Sequence, residues 1–301
     1  MKKKGMKFIF TITILLGVSL TSFFLTKNDK KDSINVESFG ANGNDDTDDT
    51  QGIQKAIDFA HENKVREVIF PKGVYLVDAL KSIRLKSNIT LKFEDGTVLK
   101  ALPNNSGGYE IISIKDVQNV SLIGKVLIIG ERKEHTGTTG EWGFGISIRG
   151  SENIYIKNPT IIDTWGDGIY IGSTESKNYS KDITIINPVG ENNRRQGISV
   201  ISAINLKIIN PKLIKTNGTP PAFGIDFEPN NKDDFLQKIK VVNPILEGNE
   251  GGGIQFYLKK IQNSKNPISI EILVKSGVKD EITMRETSNI KGEIKITYPT
   301  K

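Results

Sequence analysis

Apolar and polar residues alternate along this chain in short bursts, and one pattern of bursts recurs four times between Ile154 and Tyr257. Each copy reads apolar-x-apolar, then Asn-Pro, a polar insert, and Gly-Ile-x-apolar. The copies are IYIKNP…GDGIYI (154–171), ITIINP…RQGISV (183–200), LKIINP…FGIDF (206–227) and IKVVNP…GGIQF (239–256). Asn158, Asn187, Asn210 and Asn243 open the inserts, and Gly168, Gly197, Gly224 and Gly253 close them. The third insert is four residues longer than the others. A fixed internal period of this length marks a solenoid.

The period-2 alternation on either side of each insert predicts two short strands per copy, with no helical face between them. Strand–turn–strand units stacked without helices make a parallel β-helix, in which each coil leaves an apolar edge that only its neighbour can bury. Proline after asparagine cannot donate to a ladder, so it marks a corner. The glycine that ends each insert supplies either a positive φ or room for close stacking of coils. Aligned on the Gly-Ile step, Ile146, Ile169, Ile198, Ile225 and Ile254 form an inward column. The flanking columns are Phe144, Asp167, Gln196, Phe223, Gly252 and Ser147, Tyr170, Ser199, Asp226, Gln255. Strand alternation turns the second of these columns toward solvent, and the polar residues of the first are expected there as well.

Upstream of the repeats, Asp49 or Thr50 is placed to cap a helix over about 50–62, with Ile53, Ala56, Ile57 and Ala60 at helical spacing. The acidic run Asp45, Asp46, Asp48, Asp49 reads as loop solvation and helix capping rather than metal ligation. The stretch FGANGNDDTDDTQGIQKAID (39–58), followed by FPKGVYLV (70–77), resembles the opening of the pectate-lyase-like β-helix proteins. That superfamily includes rhamnogalacturonase- and epimerase-like enzymes and phage tailspikes. The resemblance covers about residues 34–260. It implies an all-β fold, a single-stranded right-handed parallel β-helix whose N-terminal end is covered by the capping helix. It does not by itself imply one activity.

The extreme N-terminus has another character. Lys2, Lys3, Lys4 and Lys7 precede an apolar run from Phe8 to Leu25, and Lys27, Lys30 and Lys31 follow. A basic head before an apolar run predicts an export signal. No clear A-x-A cleavage site follows, so a membrane anchor through residues 8–25 stays open. The expected division is an export signal or anchor over 1–31 and a β-helix domain over 32–301, placed outside the cytoplasm. The oligomeric state is not readable.

Composition adds little. The 301 residues carry 41 Lys and Arg against 35 Asp and Glu, with no cysteine. Packed coils must therefore supply the stability that disulfides would. The mild basic excess suits an anionic polymer or a cell wall, and it is too dispersed to predict nucleic acid as a partner.

Candidate chemistry gathers on the columns beside the Gly-Ile step. Asp226 and Glu228 lie two strand residues apart, about 6.7 Å between Cα atoms, on one face. A carboxyl pair at such spacing serves either as acid and base around a water, as in inverting glycosidases, or as a calcium site for a uronate. Arg194 and Arg195, one coil earlier, are placed to fork a sugar carboxylate or to pair with Asp167, Asp226 or Glu228. Trp165 and Tyr170 are candidates to stack on sugar rings, Trp142 a weaker one. His135, in the polar loop 131–142, reads as a mobile surface histidine, with an acid/base role as the alternative.

The segment WGDGIYIG (165–172) also resembles the polygalacturonase coil that carries the first catalytic aspartate, which implies that role for Asp167. The next two coils depart from that pattern, with Arg194-Arg195-Gln196 and Ala222-Phe223-Gly224 where an aspartate pair and Gly-His-Gly are expected. The catalytic expectation is therefore Asp226, Glu228, Asp167 and Arg195, with Arg194, Trp165 and Tyr170 holding substrate. The substrate class is an acidic polysaccharide, and the activity is lyase, hydrolase or epimerase. A glycan-binding or adhesive β-helix without catalysis is the second reading, and a structural role in the cell envelope the third.

Overall fold

The computed structural model describes residues 32–275 and 278–298. The expected export or anchor segment over 1–31, including 8–25, lies outside the described residues. From residue 32 on, the chain is a right-handed parallel β-helix with every strand pairing parallel. Each coil has three faces. In one turn the chain runs through Glu152–Lys157, bends at Asn158, continues through Pro159–Ile162, bends at Asp163, and climbs through Asp167–Gly172. A surface loop then returns it to Ser180–Ile186, one coil on.

The alternation expected from the sequence sets the register. Ile169 pairs with Ile146 and Ile198, Ile198 with Ile225, and Ile225 with Ile254. On the first face Ile156 pairs with Ile185 and Ile185 with Ile208. All of these are buried. An isoleucine moved fully from water into such a stack contributes about 1.5–3 kcal/mol, and only the neighbouring coil makes that burial available.

The corners are made by asparagine rather than by the proline that follows it. Asn158, Asn187, Asn210 and Asn243 all have φ between 51° and 58°. This left-handed region is tolerated by asparagine far better than by β-branched residues. Their side chains form a ladder up the corner: Asn187 donates to Asn158 at 2.9 Å, Asn210 to Asn187 at 3.1 Å, and Asn243 to Asn210 at 3.1 Å. The glycine column resolves the other way. Gly168, Gly197 and Gly224 need close approach, not positive φ, because a Cβ on each would sit 2.7, 2.5 and 2.8 Å from the carbonyl oxygen of the glycine one coil above.

The predicted helix spans Thr50–Glu62 and turns Ile53, Ala56, Ile57 and Ala60 onto the first coil. Within the acidic run, Asp48 accepts from the Thr50 N–H. Asp49 is buried and accepts from the amides of Asn42 at 2.6 Å and Leu76 at 2.8 Å, so it ties the helix entry to the first coil instead of solvating a loop.

Candidate active site

The third face carries the columns that the sequence singled out. Tyr170 pairs with Ser147 and Ser199, Ser199 with Asp226, and Asp226 with Gln255, while Asp167 pairs with Gln196. The stacking is as expected, but the exposure is not. Asp167, Gln196, Ser199 and Asp226 are fully buried, so these columns form a covered floor rather than a solvent-facing wall.

Each buried carboxyl is held by a neighbouring coil. Asp226 accepts from Gln196 Nε2 at 2.7 Å and Gln255 Nε2 at 3.1 Å. Asp167 accepts from Ser199 Oγ at 2.7 Å and faces Arg195 Nη1 at 3.4 Å. Arg195 extends to Glu228, with Nη2 to Oε2 at 3.1 Å, and its Nε stands 3.5 Å from Glu141 Oε1. One guanidinium thus links three carboxylates from three segments of the chain.

Burial pushes the Asp167 carboxyl up to about 6, against the opposing pull of Arg195 and Ser199. Burial also raises Asp226 well above the usual carboxylate range, and the Glu228 charge adds to it. Burial alone would weaken the charge on Arg195, but Asp167, Glu228 and Glu141 outweigh that and hold it above its ordinary value. The face therefore holds protonatable carboxyls beside a permanent cation.

Above this floor lies a cavity of about 240 Å³ lined by Trp142, Phe144, Arg149, Tyr170, Arg195, Ile201, Glu228 and Asn230. Of the expected catalytic residues, Glu228 and Arg195 reach it, while Asp226 and Asp167 lie beneath. Trp142, 55% exposed, is the free aromatic platform at its edge.

The structure gives the three expected substrate-binding residues partners within the protein. Trp165 is not open to a sugar ring, because it is sandwiched between the His135 imidazole, 3.7 Å between centroids, and the Arg194 guanidinium, 3.7 Å above its ring. Arg194 is engaged in that stack and donates to the carbonyls of Gly140 at 2.9 Å and Trp165 at 3.2 Å, so it binds the 131–142 loop down. Tyr170 lines the cavity, but its ring is stacked on Phe144 at 4.7 Å and covered by Arg149 at 4.3 Å. His135 is also not a mobile surface residue. Its side chain is buried, and Nδ1 lies 2.9 Å from Glu131 Oε2.

Residues passed over in the sequence complete the arrangement. Gln196 and Gln255 hold Asp226, Glu141 completes the Arg195 cluster, and Arg149 walls the cavity. Gln196 and Gln255 already stood in the aligned columns, and their positions beside Asp167 and Asp226 were the available signal. Glu141 comes from the loop and had no such signal. Among the described residues, no group of three or more His, Asp or Glu side chains is arranged to hold a metal ion. Of the Asp226–Glu228 pair expected to serve as a calcium site, Glu228 pairs instead with Arg195 at 3.1 Å.

Residues 33–219 match the profile of the rhamnogalacturonase A/epimerase, pectate lyase-like family. The chain belongs to that family. Among curated proteins it is 33% identical over 221 residues to the uncharacterized protein YclG of Bacillus subtilis, covering 65% of this chain and 38% of that protein. The chain spans less than two fifths of the length of the first curated relatives it matches. Among solved structures, an iota-carrageenase complexed with iota-carrageenan fragments superposes with a TM-score of 0.58 at 18% identity, covering 81% of this chain and 54% of that one. The A-module of the mannuronan C-5 epimerase AlgE4 of Azotobacter vinelandii superposes with a TM-score of 0.53 at 16% identity, covering 88% and 95%. At these identities the two structures show the shared β-helix fold.

Proposed function

We propose that this chain is a carbohydrate-active enzyme that acts on an acidic polysaccharide outside the cytoplasm, with Glu228 touching the substrate. One observation carries the reading: Asp226 and Glu228 converge beside Arg195 under a cavity edged by an exposed tryptophan. Burial, and then the neighbouring Glu228 charge, push the Asp226 carboxyl well above its usual range and so favour its protonated form. Glu228 opens to the cavity, so it is the member of the pair that can exchange a proton with a bound sugar. A buried carboxyl pushed above its usual range beside a second, cavity-facing carboxyl is an arrangement that glycosidic cleavage and proton abstraction both use. Family membership and the carrageenase- and epimerase-like fold neighbours support the class of chemistry. The basic head and apolar run at the N-terminus support the location.

The experiment is incubation with a panel of uronate, sulfated and neutral polysaccharides. Ultraviolet absorbance of an unsaturated uronate identifies a lyase. New reducing ends without absorbance identify a hydrolase, and a changed uronate composition without either identifies an epimerase. Asp226→Asn and Glu228→Gln are expected to abolish turnover, and full activity in both would refute the site.

A second reading, a glycan-binding protein without catalysis, is favoured by the complete burial and saturated hydrogen bonding of Asp226 and Asp167. Retention on a glycan with no product of any kind would select it.

A further inference from the structure

The cavity above Glu228 is not closed at its far wall. Arg149 forms that wall, and on its other side lies a larger cavity of about 660 Å³ lined by Lys115, Asp116, Ser173, Thr174, Glu175, Ser176 and Asn231. Arg149 therefore borders both spaces. Asn230 and Asn231, adjacent in the chain, line one space each. The two cavities therefore adjoin at Arg149 and the Asn230–Asn231 pair, as a groove with Glu228 in one part and Lys115 in the other.

The fixing of Arg149 is unusual for a side chain 30% exposed. Its Nε donates to Ser147 Oγ at 2.9 Å and lies 3.2 Å from Glu110 Oε1. Its guanidinium lies flat over the Tyr170 ring at 4.3 Å, with Phe144 beneath at 5.4 Å. Gly172, its register partner one coil on, keeps the Tyr170 ring in place, since a Cβ there would lie 2.7 Å from that ring. Among the described residues neither Nη nitrogen donates a hydrogen bond, although the inner edge and one face of the group are held. A planar fork with its outer edge free is preorganised for a bidentate oxyanion. Lys115 is the register partner of Arg149 on the preceding coil and adds a second cation. Of the two acids lining the larger cavity, Asp116 is occupied by the hydroxyls of Thr174 at 2.7 Å and Ser176 at 2.8 Å, and Glu175 is exposed at the rim.

We infer that Arg149, backed by Lys115, is an anion subsite that recognises a carboxylate or sulfate ester on a sugar distant from the reacting bond. Arg149 lies three coils from Glu228, about 14 Å along the axis at the spacing of parallel strands, room for roughly a trisaccharide. The subsite thus reads charge on the polymer well away from the Asp226–Glu228 pair. This deepens the functional reading above and rests on the groove that reading uses.

Affinity electrophoresis tests it with polygalacturonate, a sulfated galactan and neutral dextran in the gel. Wild-type protein is expected to be retarded by at least one anionic polymer and not by dextran. The polymer that retards it distinguishes carboxylate from sulfate recognition. Arg149→Gln should weaken that retardation about tenfold, the scale of losing a charge-assisted hydrogen-bond pair. Arg149→Lys should restore only part of it, because an ammonium lacks the fork. Lys115→Gln should give a smaller loss, and as an exposed substitution it guards against misfolding of the Arg149 variants. Unchanged retardation in folded Arg149→Gln and Lys115→Gln, equal retardation by dextran, or no retardation by any polymer overturns the inference. The two proposals can fail separately. Arg149-dependent retention without turnover of any glycan leaves the subsite and removes the catalytic reading. Turnover of an anionic glycan, unaffected by Arg149→Gln, does the reverse.

Discussion

Replacing Asp167 by asparagine should make this protein more stable at pH 8 and leave it nearly unchanged at pH 3.5. In the unfolded chain Asp167 titrates near the ordinary value of 3.8, whereas burial moves it to about 6 in the fold. Between those two values the folded state holds a proton that the unfolded state has released. Stability therefore falls as pH rises through this window and stays lowered above it. The shift corresponds to about 3 kcal/mol at 1.36 kcal/mol per pH unit. The attraction of Arg195 is already contained in that net value, because it opposes burial within the same shift. Asparagine matches the protonated acid in shape and can still accept from Ser199 Oγ, so the variant escapes the ionisation cost. Arg195 keeps Glu228 and Glu141 as partners. Thermal melts of both proteins from pH 3.5 to 8 give the difference curve directly. It should rise between about pH 4 and 6 and then level off, reaching several degrees for a domain of this size. A flat difference, or one that shrinks with rising pH, would mean that the Arg195 pair outweighs the desolvation of Asp167, and would refute the argument.

Further outcomes follow from the coils and from the loop. Asn187→Val should cost about 1–2 kcal/mol for forcing a β-branched residue into a left-handed corner, plus about 1 kcal/mol for breaking the asparagine ladder, read as a lowered Tm. Gly197→Ala should destabilise by about 1–3 kcal/mol or more, because its Cβ would meet the Gly224 carbonyl at 2.5 Å and coils cannot separate without breaking their ladder. Trp165→Ala removes the ring held between His135 and Arg194, at a cost of about 3 kcal/mol, and should open the 131–142 loop to limited proteolysis at sites resistant in the wild type.

The site was legible in part. That Asp167, Gln196, Ser199 and Asp226 would stand in register followed from counting residues from the Gly-Ile step, because parallel strands pair at a fixed spacing. Their covering was not legible. A strand residue pointing away from the core is solvent-facing only if nothing from elsewhere lies over it. Here Gln196 and Gln255 come from the coils on either side of Asp226, and Glu141 and Trp142 arrive from a loop outside the repeat. The Trp165 stack divides the same way: Arg194 is its counterpart one coil on and was countable from the Gly-Ile step, whereas His135, which covers the other contact, comes from the loop outside the repeat.

The alternation of apolar residues and the spacing of Asn and Gly determined, within the chain itself, that coils would form, how they would align and where they would turn. Those are local matters of φ, of strand period and of the room a missing Cβ leaves. Tertiary structure alone decided which outward residues became a buried, carboxyl-bearing floor and which reached the groove. Burial and charge pairing depend on distances between segments far apart in sequence, and no pattern along one coil encodes those distances.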